Sequence, residues 1–324
     1  MAIIDKPSDY FETKLYTGNG GTQSITGLDF QPNWVWIKDR DDTYKHILVD
    51  SVRGATKHLA SSLNAAEITN TANVTSFTSD GFALSSDGNV NANADKYASW
   101  NWKESATAGF DIVSYSGTGS AKTVSHNLGV KPDVIICKSR SGAEEWRVYS
   151  SYLGATKALR LNGTNAEDTD SGYWNNTEPT SSVFTVGTNG GTNGNGVTFI
   201  AYCFASVKGY SKFGSYTGNN NANGTFVYTG FKPAFVMIKR TSDTQGWVMW
   251  DNKRPGFNVT NQSLTANETS AEETGRIFDI LSNGFKMRDT NTATNAASTY
   301  IYFVFAENPF VTSTDNGSIP ATAR

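Results

Sequence analysis

One pattern occurs three times along this sequence, about one hundred residues apart, and such a period constrains the architecture before any single residue does. Its clearest marker is a strand led by proline: Phe30-Gln31-Pro32-Asn33-Trp34-Val35-Trp36-Ile37-Lys38. The marker returns as Val130-Lys131-Pro132-Asp133-Val134-Ile135-Ile136-Cys137-Lys138 and as Phe231-Lys232-Pro233-Ala234-Phe235-Val236-Met237-Ile238-Lys239. Upstream of each lies a small turn motif, Tyr16-Thr17-Gly18, Tyr115-Ser116-Gly117 and Tyr216-Thr217-Gly218. Downstream, His46 to Asp50 aligns with Trp146 to Ser150 and Trp247 to Asp251. Each copy closes on an aromatic strand: Tyr97 to Trp102, Phe199 to Phe204, Tyr300 to Phe305. The landmarks keep a constant order, which divides the chain into 1–105, 106–208 and 209–324.

A unit of this length is a domain rather than a solenoid rung of roughly 20–45 residues. Within it, apolar residues alternate: Trp34, Trp36 and Lys38 share one face of a strand, Val35 and Ile37 the other. Clusters of Gly, Asn, Ser and Thr punctuate short segments, as in Asn219 to Gly224. No helix cap precedes a sustained 3.6-residue stripe. The prediction is an all-β chain of three tandem antiparallel β-sandwiches of a jelly-roll or lectin-like kind. The short linkers Lys103–Gly109 and Ser206–Lys212 predict domains packed in a row or a curved arc.

On the closing strands, Trp100 and Trp102, Tyr202 and Phe204, and Phe303 and Phe305 point to one side. Exchange of Trp, Tyr and Phe between copies favours packing between sheets over a sugar-stacking platform. Cys137 stands where the other copies have Ile37 and Ile238, so a buried free thiol is expected rather than a bridge to Cys203.

The inventory for chemistry is thin. Net charge is −3 with the cations scattered, so a nucleic-acid partner is not expected. No apolar run reaches the ~20 residues of a membrane-spanning helix, so no membrane insertion is expected. The stretch Met1 to Lys6 lacks a basic segment followed by an apolar one, so no secretory leader is expected. His126 has no counterpart in the other copies and is expected at the surface rather than as a general base. The loop Asp87 to Asp95 spaces oxygen ligands like a calcium loop but has Ala92 and Ala98 where such a loop needs glycine and an acid, so it is expected to be a polar hairpin. Glu144 and Glu145 are adjacent and point to opposite faces, while Asp39, Asp41 and Asp42 read as an exposed turn. The expectation is therefore a non-enzymatic protein without catalytic, cofactor-binding or metal-ligating residues. Its Asn-, Thr-, Ser- and Gly-rich loops suit contact with a sugar or polymer.

The opening Asp5 to Gly20, the segments Phe30 to Lys38 and Asp50 to Gly54, and the later stretches Gly209 to Gly218 and Phe226 to Phe235 carry a resemblance. So do Phe305-Ala306-Glu307-Asn308-Pro309-Phe310-Val311 and the tail Ile319 to Arg324. Together, across essentially the whole chain, they resemble virion structural and tail-fibre-type proteins of marine tailed bacteriophages. The resemblance implies repeated lectin-like sandwich domains and a virion location after assembly in the host cytoplasm. It implies other virion proteins as partners and brings no catalytic residue. The leading expectation is a tail or tail-fibre component touching a host surface glycan or receptor, with homo-oligomerisation usual for such appendages. A capsid decoration or fibre adaptor is the alternative, and a polysaccharide depolymerase the enzymatic outsider.

Overall fold

The structure is a computed structural model that describes residues 3–310. Val311 and the Ile319 to Arg324 tail, which contribute to the resemblance, lie outside the described residues. The fold is all-β with antiparallel sheets. One four-strand order recurs. In the first stretch it runs Phe11–Thr17, Lys96–Trp102, Trp34–Asp39, Ile47–Asp50. In the second it runs Phe110–Ser116, Thr198–Phe204, Val134–Ser139, Arg147–Ser150, and in the third Ser211–Thr217, Thr299–Pro309, Phe231–Arg240, Val248–Asp251. The closing strand is central each time, which is why it carries the bulkiest side chains.

Strand alternation then produces two kinds of core. One face of each four-strand unit packs against residues of its own stretch, giving three separate clusters: Val35, Ile37, Phe82 and Tyr97; Ile135, Cys137, Phe184 and Phe199; Val236, Ile238, Phe285 and Tyr300. The opposite faces meet one another. Trp34, Trp36, Trp100 and Trp102 join Val134, Ile136, Tyr202 and Phe204, and Phe235, Met237, Phe303 and Phe305, in one cluster. Register places an aromatic of each closing strand opposite a large apolar partner, Trp36 on Trp100, Ile136 on Tyr202 and Met237 on Phe303. Rings of different stretches meet directly: Trp34 stacks on Tyr202 at 4.5 Å and Phe11 on Phe305 at 5.2 Å, while Phe204 meets Phe305 edge to face at 5.8 Å. The gap at the middle is about 10 Å³ and walled by apolar groups, so it stays dry.

Two expectations are corrected here. The alternating aromatics of the closing strands fill a core shared by all three stretches, not one between the two sheets of a single stretch. Nor do the stretches form a row or an arc, because the first also contacts the third. The reason is chemical. A strand with large apolar groups on both faces cannot leave either face in water, and three such faces bury one another only by closing on themselves.

The free thiols are buried as expected: Cys137 lies against the Tyr115 hydroxyl at 3.0 Å, and burial pushes it up to about 12. Among the described residues, helix is confined to a short 3-10 turn and three single turns, at Gly88–Asn91, Ser171–Trp174 and Gly190–Asn193, each of the three opened by a side chain that accepts from the backbone.

Candidate functional site

Two features recur with the threefold pattern and organise the surface. The first is the polar loop at the far end of each sheet. Tyr16, Tyr115 and Tyr216 donate their hydroxyls to the carbonyls of Val90, Thr192 and Thr294 in the facing loop. The glycine two residues on is required because that loop presses against it. A Cβ on Gly18, Gly117 or Gly218 would meet the carbonyl oxygen of Ala92, Gly194 or Ala296 at 2.0, 2.2 or 2.1 Å. Inside each loop a buried asparagine acts as the knot. Asn91 donates to the carbonyls of Gly21 and Ser85, Asn193 to those of Ser120 and Gly187, and Asn295 to those of Asn221 and Asp289. Their Oδ1 atoms accept from the backbone N–H of Asn19, Thr118 and Asn219. Sequence reading singled out these loops for composition and missed the knot, although asparagine stands at 91, 193 and 295 in all three copies.

The calcium-like spacing of the first loop has another use. Asp87 caps the turn Gly88–Asn91, accepting from the Asn89 N–H at 2.8 Å, and its other oxygen takes the Asn70 amide. Among the described residues no three His, Cys, Asp or Glu side chains gather where they could hold a metal ion.

The second feature is the seam between neighbouring stretches. The aligned residues His46, Trp146 and Trp247 each reach backbone carbonyls of the neighbouring copy, Trp146 also touching that of Leu63 at 3.1 Å. His46 Nε2 donates to Thr265 at 3.1 Å, Trp146 Nε1 to Ala60 at 2.9 Å, and Trp247 Nε1 to Arg160 at 2.8 Å. The His46 Nδ1 accepts from Trp36 Nε1, which fixes the tautomer, and burial holds this imidazole well below its usual pKa. His126 is buried, correcting the surface expectation. Its Nε2 lies 3.2 Å from the Thr180 carbonyl, and the Leu128 N–H points at its Nδ1. Of the acidic turn, Asp41 and Asp42 are exposed as expected, but Asp39 is buried and accepts the N–H groups of both at 2.8 Å.

At two seams a carboxylate–guanidinium clasp completes the closure. Glu67 accepts from Arg53 of its own stretch and from Arg140 of the next, while Glu272 accepts from Arg254 and from Arg40. Arg53 and Arg254 are fully buried against Asp50 and Asp251, whose carboxylates also accept from Tyr202 and Trp100 across the seam. The third seam departs at each position. Ser150 replaces the aspartate, Leu153 the inner arginine, Thr241 the outer arginine, and Phe303 the aromatic donor. The backbone tie survives, with the Glu167 N–H donating to Thr241 at 2.7 Å. What remains is an open groove of about 380 Å³ lined by Tyr152, Leu153, Lys157, Glu167, Thr241, Ser242 and Thr299.

Three aligned lysines, Lys38, Lys138 and Lys239, are buried on the strands that face the shared core. Each ammonium is capped by backbone carbonyls, those of Asp39 and Asp42, of Ser139 and Gly142, and of Arg240, Asp243 and Thr164. Desolvation lowers all three to about 8. Between about pH 8 and the unfolded lysine value of 10.5, the unfolded chain holds protons that the folded chain has shed, so stability rises with pH. Above about 10 the buried tyrosines Tyr16, Tyr115, Tyr202, Tyr210 and Tyr216, held above their usual pKa by burial, reverse the slope. Denaturant midpoints are therefore expected to climb from pH 8 to a maximum near 10, with a shallower climb in Lys38→Met. A flat or falling profile between pH 8 and 9.5 would contradict the burial of these ammonium groups.

Among the described residues, no helix is long and apolar enough to cross a membrane. Residues 6–309 match a family model described as a domain of unknown function, DUF7483. No curated protein matches the chain. Neither comparison names a virion or tail-fibre protein.

Proposed function

We propose that this chain, which belongs to the DUF7483 family, is a non-enzymatic virion structural protein of a tailed bacteriophage, a tail or tail-fibre component that touches the host surface. In this reading three β-sandwich repeats, 1–105, 106–208 and 209–324, form one body whose partners are other virion proteins and a host surface glycan or receptor. The observation that carries it is the set of polar loops, each held at the same end of its sheet by a buried asparagine. Loops fixed in advance lose little entropy on binding, and three on one chain offer multivalent contact. The resemblance of Asp5 to Gly20 and of the proline-led strands to phage virion proteins supports the same reading.

The role is tested by labelling intact particles with a gold-tagged nanobody and by adding purified protein during adsorption. The expected result is label at the tail or fibre tips and reduced adsorption. Label spread over the head lattice would make this a capsid decoration. Protein that neither binds host cells nor competes with the particle would remove the host-contact role.

A further inference from the structure

The groove at the third seam differs from the rest of the surface because the protein supplies its own controls. Three seams share one backbone plan, with the N–H of Glu67, Glu167 or Glu272 donating to the carbonyl of Arg140, Thr241 or Arg40. At two of them, two guanidinium groups converge on the glutamate and occupy the space. At the third, both arginines are exchanged for shorter uncharged side chains, Leu153 and Thr241. The aspartate and the aromatic donor that supported the clasp are exchanged with them. A random loss of one arginine would leave its buried aspartate unpaired, at a large cost. Here the aspartate and both arginines leave together while Glu167 stays and pairs with Lys157, and a groove of about 380 Å³ stands in their place, within the roughly 300–1,000 Å³ of small-ligand sites.

We infer that this groove binds a neutral saccharide unit, with Tyr152 as the stacking platform. The lining sets the class. Lys157 and Glu167 form an ion pair with each other, so the floor carries no net charge to attract an acid or a base. Both heads remain partly solvated and present donors and acceptors to hydroxyl groups. Thr241 and Ser242 also line it, their hydroxyls paired with the Thr299 carbonyl and the Ser298 hydroxyl, so that Ser242 keeps one further hydrogen-bonding position for a ligand. Tyr152 is 51% exposed, and its hydroxyl makes no hydrogen bond among the described residues. An open ring beside paired polar groups matches the alternating C–H face and hydroxyl edge of a pyranose. A nucleic acid or acidic polymer would want unpaired cations here, and an apolar ligand would leave the pair and hydroxyls unmet. The inference rests on the host-contact reading only for the source of the sugar, a surface glycan.

The test uses the purified full-length chain and free sugars, without phage or host, so its outcome is independent of the adsorption experiment. Saturation-transfer NMR is run with the neutral trisaccharides maltotriose, cellotriose and a galactose trimer, with trigalacturonate as the acidic comparison. At least one neutral sugar is expected to show transfer, and trigalacturonate none. Tyr152→Ala, a surface change, is expected to weaken that binding at least tenfold at unchanged thermal midpoint. The triple variant Ser150→Asp, Leu153→Arg, Thr241→Arg restores the aspartate and both arginines of the other seams and is expected to abolish the signal. No transfer from any neutral sugar, preference for trigalacturonate, or a signal that survives Tyr152→Ala would overturn the inference.

Discussion

Replacing Trp34 with alanine is expected to cost about 3–5 kcal/mol and to weaken all three stretches together. The indole is buried, stacks on Trp102 and Tyr202 at 4.5 Å each, and lies 5.9 Å from both Phe110 and Phe204. Its loss opens a cavity where two stretches meet, and the third closes on the same cluster through Phe235 and Phe305. Urea unfolding followed by circular dichroism and by tryptophan fluorescence should give one coincident transition, in the parent and in the variant. Two separated transitions, or a loss below about 1 kcal/mol, would mean that the stretches fold as independent beads. Trp102→Phe is the informative contrast. The indole N–H of Trp102 has no hydrogen-bond partner, and the aligned positions hold Phe204 and Phe305. That change should cost far less than Trp34→Ala, since it trims volume without orphaning a polar group.

Removing half of a buried ion pair gives the second large effect. Arg53 and Asp50 are both fully buried, and the Arg53 fork also reaches the Leu48 carbonyl and the Tyr202 hydroxyl. Arg53→Met leaves the Asp50 carboxylate with the Tyr202 O–H and the Arg53 backbone N–H position but no cation, at an expected cost of about 3–5 kcal/mol. The concerted change Asp50→Ser, Arg53→Leu, Tyr202→Phe copies three of the four exchanges of the third seam, keeping the Arg140–Glu67 pair, and removes buried charge and donor together. It is expected to cost much less than the single change, because no buried charge is left behind. Thermal or denaturant midpoints of the two variants decide this. A triple variant as unstable as Arg53→Met would show that the clasp holds the seam by net attraction rather than by charge compensation.

Both predictions depend on contacts between stretches, and these were the least legible part of the sequence. Alternation along Trp34 to Lys38 correctly announces strands, and constant landmarks announce three copies. Alternation cannot say what covers a face. Trp100 and Trp102 read equally well as facing a second sheet of their own stretch or a neighbour, since burial is non-directional. The seam left a trace that one chain can show: Ser150, Leu153, Thr241 and Phe303 depart from their aligned counterparts as a set. Read one position at a time they look like drift. Only their meeting at one seam turns four substitutions into one structural change. His126 illustrates the opposite failure, where a residue without counterparts looks superficial yet is buried beside the Thr180 carbonyl.

The sequence by itself determined the local events, because they depend on neighbours along the chain. The alternation made the strands. Asp87, Asp170 and Asn189 capped the single helical turns, and glycine stood where a facing carbonyl leaves no room for a Cβ. The tertiary structure alone decided that three aromatic faces close on one another, that two seams are clasped, and that the third is open. Those outcomes come from residues about two hundred positions apart, such as Arg40 and Glu272 or His46 and Thr265. Periodicity measures distance along a chain, whereas desolvation and pairing of charge act only through space.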